Sequence, residues 1–305
     1  VSETYTQNGL TYLKASSVEQ DILGKKGDDD RINWGSFYIV AESKNTEASV
    51  AENGFMRFTR NLGNVKNAEG KFMIGYDDLY SVQYFGENLR PYWNRTGDVT
   101  IESQFELANK EYKTLAKKAT AFDYALMQEA IEAGGKKYAD LCALAYRQAI
   151  SAHKLVQTNE GFLTFLSKEN NSNGSIGTVD VTYPSFPIFF KYNTKLARAL
   201  MDHIFHYSES GRWTKPFPAH DVGTYPLANG QTYTINCHRA LVNSKISSFC
   251  HFRVKVILKS KDITSLCVFL TNTNSGLVYM ALHNMPIKTT VHHHAALHIY
   301  AIANI

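Results

Sequence analysis

The sequence predicts an α+β protein written in three stretches, and three observations carry that reading. Residues 1–88 hold short runs rich in Tyr, Phe, Ile and Val, separated by Gly, Asn and Asp turns. From about residue 100, apolar residues recur at the three-to-four spacing of an amphipathic helix. After Tyr233 the composition changes: no Glu, one Gly (Gly276) and one acid (Asp262) stand against seven Lys and Arg.

Strands are predicted near 10–13, 34–41, 55–58 and 72–85, with turns at 24–30, 63–64 and 70. Their number and spacing fit part of a β-sandwich over 1–88. The next domain, 89–233, is helical. Thr100 is placed to cap a helix through Ile101, Phe105, Ala108, Tyr112, Leu115 and Ala119. Thr120 is placed to cap a second through Phe122, Leu126 and Ala130, stopped by Gly134-Gly135. A third is predicted from Lys136 to Leu155, and a shorter one from Asn193 through Leu196, Leu200 and Ile204, beyond a loop at 157–187. Short links between successive helices favour antiparallel hairpins. Residues 234–305 keep neither period for long. They are expected to be foreign to the fold, as an intron read-through or frameshift would make them, with a short β-rich appendage as the alternative.

Charge and cysteine usage exclude several classes. The chain carries +4, but the part up to Tyr233 is slightly acidic, and no basic stripe with interleaved aromatics marks a nucleic-acid face. No apolar run approaches the roughly 18 residues of a membrane span. The opening VSETYTQNGL has neither the basic start nor the apolar middle of a secretory leader. Cys142 is alone before Tyr233 and reads as a small buried hydrophobe; Arg147 and His153 read as satisfied interior polar groups. Cys237, Cys250 and Cys267 lack paired zinc spacing, and three consecutive residues, His292–His294, cannot all face one ion. No metal and no cofactor are expected.

Two long polar loops anchored by aromatics stand out: FLSKENNSNGSIGTVDVTYPS and SGRWTKPFPAHDVGTYPLANGQTY. Loops of this length in a compact domain are usually functional or disordered, and aromatic anchors argue for order. With FMIGYDDLYSVQYFGENLRPYW and LAYRQAISAHKL, in this order, these phrases resemble the glutaminase A family, whose catalytic part is an (α/α)6 toroid of six helical hairpins behind an N-terminal β-domain. The likeness runs from GLTYLKASSVEQDILGKKGDD to Tyr233 and stops there. The resemblance therefore implies a partial β-sandwich, part of the toroid, and an atypical tail. It also implies hydrolysis of the side-chain amide of L-glutamine to glutamate and ammonia, outside the cell or in the periplasm. The chain as written is expected to be an incomplete, weakly active or inactive form.

Amide hydrolysis needs a base to activate water, an acid for the departing ammonia and donors for the oxyanion. Glu169 and Asp180 are the leading acid–base pair, the more buried one staying protonated; His220 is a second acid or base, oriented by Asp221. Lys168, Arg212, Trp213 and Tyr225 are the candidate substrate contacts, Arg212 as a carboxylate clamp. Each has a structural alternative: Asp180 bonding loop amides, Lys168-Glu169 as an ion pair, His220-Asp221 bracing the loop, Arg212 stacked on Trp213. The sequons at Asn170 and Asn173 fall in the site loop and are expected to be unused. The expected partner is a small molecule, glutamine or a related amide. A glycosidase on the same toroid, binding a sugar, and a non-enzymatic fragment are the rival readings.

Overall fold

A computed structural model describes residues 1–24, 32–51, 55–64, 66, 69–169, 173–216, 218–232, 267–268 and 280–281. Most of the tail, the His292–His294 run and the Asn170 sequon lie outside these residues. The fold is α+β. Strands β1 (Ser2–Gln7), β2 (Leu10–Ser16), β3 (Ser36–Glu42) and β6 (Met73–Asp77) form one antiparallel sheet in that order. Strands β4 (Thr46–Val50) and β5 (Met56–Arg60) make a ribbon packed beside β1 and β2. Alternation explains the buried face. Leu10 and Tyr12 of β2 and Tyr38 and Val40 of β3 point one way, and Ile101 and Phe105, one helical turn apart, cover them.

That covering helix, α1 (Ile101–Gly134), starts as predicted, with Thr100 accepting the Ser103 N–H at 3.2 Å. It does not break at Thr120 but runs on for 34 residues. A single Thr in an Ala- and Lys-rich stretch costs a few tenths of a kcal/mol, too little to stop a helix without Gly or Pro. Gly135, at φ +81°, reverses the chain into α2 (Lys136–Ser151), and the Phe122 and Tyr146 rings meet at 5.2 Å between the two helices.

The third predicted helix is too long. It ends at Ser151, and β9 (His153–Gln157) pairs antiparallel with β10 (Leu163–Ser167). The stretch expected as a loop therefore holds half a hairpin and a helix, α3 (Val179–Tyr192), despite Pro184 and Pro187 inside it. Each proline withdraws one i→i−4 donor, from the Asp180 and Tyr183 carbonyls; separately, the Ser185 hydroxyl donates to the Val181 and Thr182 carbonyls at 3.1 and 3.0 Å. Asn193 then caps α4 (Thr194–Glu209).

The β9–β10 hairpin is covered on both faces. Leu155 and Phe165 pack with Phe189 and Leu200 of α3 and α4. Val156 and Leu166, on the opposite face by alternation, join a core that includes Trp34, Ile176, Val222 and Tyr225. Strands β7 (Val82–Tyr84), β8 (Glu87–Leu89) and β11 (Leu227–Ala228) complete that second core. The interior reading holds for His153, which is buried, but not for Arg147, which is exposed; Cys142 is only half buried.

Candidate functional site

The two polar loops meet in a short backbone ladder. Ile176 N–H donates to the Gly223 carbonyl, Val222 N–H to the Ile176 carbonyl, and Val179 N–H to the His220 carbonyl, at 2.9, 3.0 and 2.9 Å. Tyr225 N–H closes the other end on the Gly174 carbonyl at 2.8 Å. The ladder forms because each loop is anchored in the core through Ile176, Val179, Ala219 and Val222, so their polar residues are carried to a fixed rim.

At one end the imidazole of His220 lies between two carboxylates. Its Nδ1 is 2.8 Å from Oδ2 of Asp221, and its Nε2 is 3.7 Å from Oδ1 of Asp180, an ion-pair rather than a hydrogen-bond distance. Asp221 is fully buried and uses its second oxygen to accept the Gly223 N–H at 2.9 Å. Asp180, in the first turn of α3, has a side chain 59% exposed. The Asp180 carboxylate, and then that of Asp221, push His220 up to about 10 against the opposing pull of burial. His220 in turn holds the Asp180 carboxyl below its ordinary range. At neutral pH the group is therefore an imidazolium between two carboxylates. Of the expected Glu169–Asp180 pair, Asp180 is the exposed member held ionised, and His220 is held toward its protonated form.

At the other end, Lys168 places its ammonium 4.0 Å from the Tyr225 ring centre, and Tyr225, almost fully buried, packs against Trp34. Glu169 continues from Lys168, its N–H donating to the Ser175 carbonyl at 3.0 Å. Arg212 and Trp213 make their contacts elsewhere. Arg212 is exposed and lies 4.8 Å over the Phe85 ring, and Trp213 packs on Tyr207. The Arg212–Trp213 stack expected from their adjacency gives way to separate aromatic partners.

One charged pair escapes sequence reasoning. Lys154 of β9 reaches Oδ2 of the buried Asp78 at 3.0 Å, and Ser81 donates to the same oxygen at 2.8 Å. Burial pulls the Lys154 ammonium down, but Asp78 more than offsets it, with smaller help from Tyr225, and holds the group above the ordinary lysine range. Alternation along β9 offers the only sequence signal: Lys154 shares a face with Val156, which is core. Among the described residues, no group of three or more His, Cys, Asp or Glu could hold a metal ion, and no helix is long and apolar enough to cross a membrane.

Residues 135–244 match the family described as the glutaminase A six helical-hairpin domain. Through this segment the chain is similar to the glutaminase A family. The match runs past Tyr233, where the phrase-by-phrase likeness stops. Residues 41–129 match a separate domain of unknown function. A glutaminase A of Aspergillus oryzae is 29% identical over 233 residues, covering 74% of this chain and 32% of that protein. A protein of Arthroderma benhamiae named as a probable glutaminase is 34% identical over 100 residues, covering 33% of this chain and 12% of its own length. The chain thus spans about a third or less of the length of the curated relatives it matches. No solved structure matches it.

Proposed function

We propose that this chain carries part of a glutaminase-type amidohydrolase site, with Asp180, His220 and Asp221 as its polar centre. The observation that carries the reading is the His220 imidazole set between Asp180 and Asp221 where the two loops join. Asp180, ionised and reachable, takes a proton from the water that attacks the carboxamide carbon. The His220 imidazolium steadies the developing oxyanion and protonates the departing nitrogen, while Asp221 fixes its ring. Water and a primary amide give a carboxylate and ammonium. The substrate in this reading is L-glutamine, in line with the names of the two fungal relatives, and the protein acts outside the cell.

A glycosidase reading finds less support. Its acid is a carboxyl held protonated near neutral pH, whereas Asp180 is held ionised and Asp221 is buried against His220. Low turnover by this chain alone belongs to the proposal, because a toroid site draws loops from all its hairpins and small displacements of reacting groups slow chemistry steeply. Ammonia release from L-glutamine, beside sugar release from cellobiose, tests it. We expect slow ammonia release, reduced about a hundredfold by Asp180→Asn. Release unchanged in that variant, or sugar release instead, overturns the assignment.

A further inference from the structure

His203 is a fully buried histidine with no part in the chemistry above. It stands on α4, and its Nε2 lies 3.3 Å from the carbonyl oxygen of Gly177. Gly177 is at φ +65°, and a Cβ there would fall 2.6 Å from that same Nε2 and 2.8 Å from Cγ2 of Val222. The peptide is wedged between the imidazole and the opposite loop. Its own N–H donates to the Ser167 carbonyl at 2.8 Å, and the next N–H, of Thr178, to Oγ of Ser167 at 3.1 Å. One residue later Val179 bonds the His220 carbonyl, and Asp180 follows.

We propose that His203 is a positioning residue: from the buried side it seats the Gly177–Thr178 peptide and thereby sets how closely Asp180 approaches His220. Ser167 pulls the strap toward β10, His203 supports it from α4, and Val222 bounds it on the third side. With three supports, the start of α3 has one place to begin, and Asp180 has one place from which to face the imidazole. The ring is suited to this: it is flat enough to pack in the core and gives an N–H donor to a carbonyl that would otherwise be buried without one. The proposal uses the Nε2–H form, which donates to the Gly177 carbonyl, over the other tautomer, which would turn its proton toward the Ala199 carbonyl.

The inference rests on the Asp180–His220 pair, not on the reaction assigned to it, so its readout is titration of His220 by NMR in the full chain. His203→Phe keeps a packed ring and removes the donor; His203→Gln restores a donor. We expect the His220 midpoint to fall by about one pH unit in His203→Phe and to return to within a few tenths in His203→Gln. Ser167→Ala, which loosens the same strap without touching His203, should lower it as well and serves if His203→Phe does not fold. A folded His203→Phe with the parental midpoint overturns the proposal, as does an unmoved midpoint in Ser167→Ala. Loss of the proposed amidase activity with these shifts intact would count against the reaction alone.

Discussion

Lys154 and Asp78 meet at 3.0 Å across the join between the strand-rich and helical parts, one on the β9–β10 hairpin and the other just after β6. Asp78 is almost wholly enclosed. Removing one partner leaves the other charge buried without compensation, which costs about 3–5 kcal/mol. Lys154→Met should therefore lower unfolding free energy by about that amount in a denaturant titration. Asp78→Asn added to it should recover a measurable part. Additive losses from the two changes would show that the pair is not coupled.

Stability should peak near pH 6.5. His220 titrates at about 10 in the folded chain against an ordinary 6.5. Its folded value is raised, so its contribution is complete below about 6.5 and lost as pH climbs to about 10. His153 and His203 run the other way. Burial holds both down to about 4, so the unfolded chain takes up their protons first and stability drops as pH falls from about 6.5 toward 4. Thermal midpoints between pH 4 and 10 check this, and His220→Gln should flatten the alkaline side.

Gly223→Ala should damage the site loop directly. Gly223 sits at φ +138°, and an added Cβ would lie 2.2 Å from the Leu227 carbonyl oxygen and 3.1 Å from the Asn229 nitrogen. Both obstacles are backbone, so the loop itself must move. We expect a loss of at least about 2 kcal/mol and a displaced His220 resonance. An unchanged melting curve would contradict the backbone fit described.

Much of the fold was legible because local rules governed it. Thr100 as a cap, Gly135 as a reversal and the alternation of Leu10, Tyr12, Tyr38 and Val40 each follow from one residue type in one conformation. What failed was arbitration between periods. LVQ and FLTFLS are too short and too apolar to separate strand from buried helix, and Pro184 with Pro187 disguised α3 as a loop. In the candidate site, Asp180, His220 and Asp221 were readable as ionisable residues on framed loops. The Lys154–Asp78 pair was not, because its partners are 76 positions apart and only the folded chain makes them neighbours.

The 34 residues of α1 give it a length of about 50 Å at 1.5 Å per residue. Its first turn is tied to the sheet where Tyr5 donates to Glu102, and its far third to α3 where Lys191 pairs with Glu129. The helix is thus a ruler with a phase. Deleting one residue between these ties would swing every side chain beyond it by about 100° and draw Glu129, Phe122 and their partners out of line. Changes of seven residues keep the same side facing inward while altering the reach by about 10 Å. The spacing between the two ends is therefore stepwise, and drift in this segment's length is constrained to whole repeats even where its individual side chains touch nothing but water.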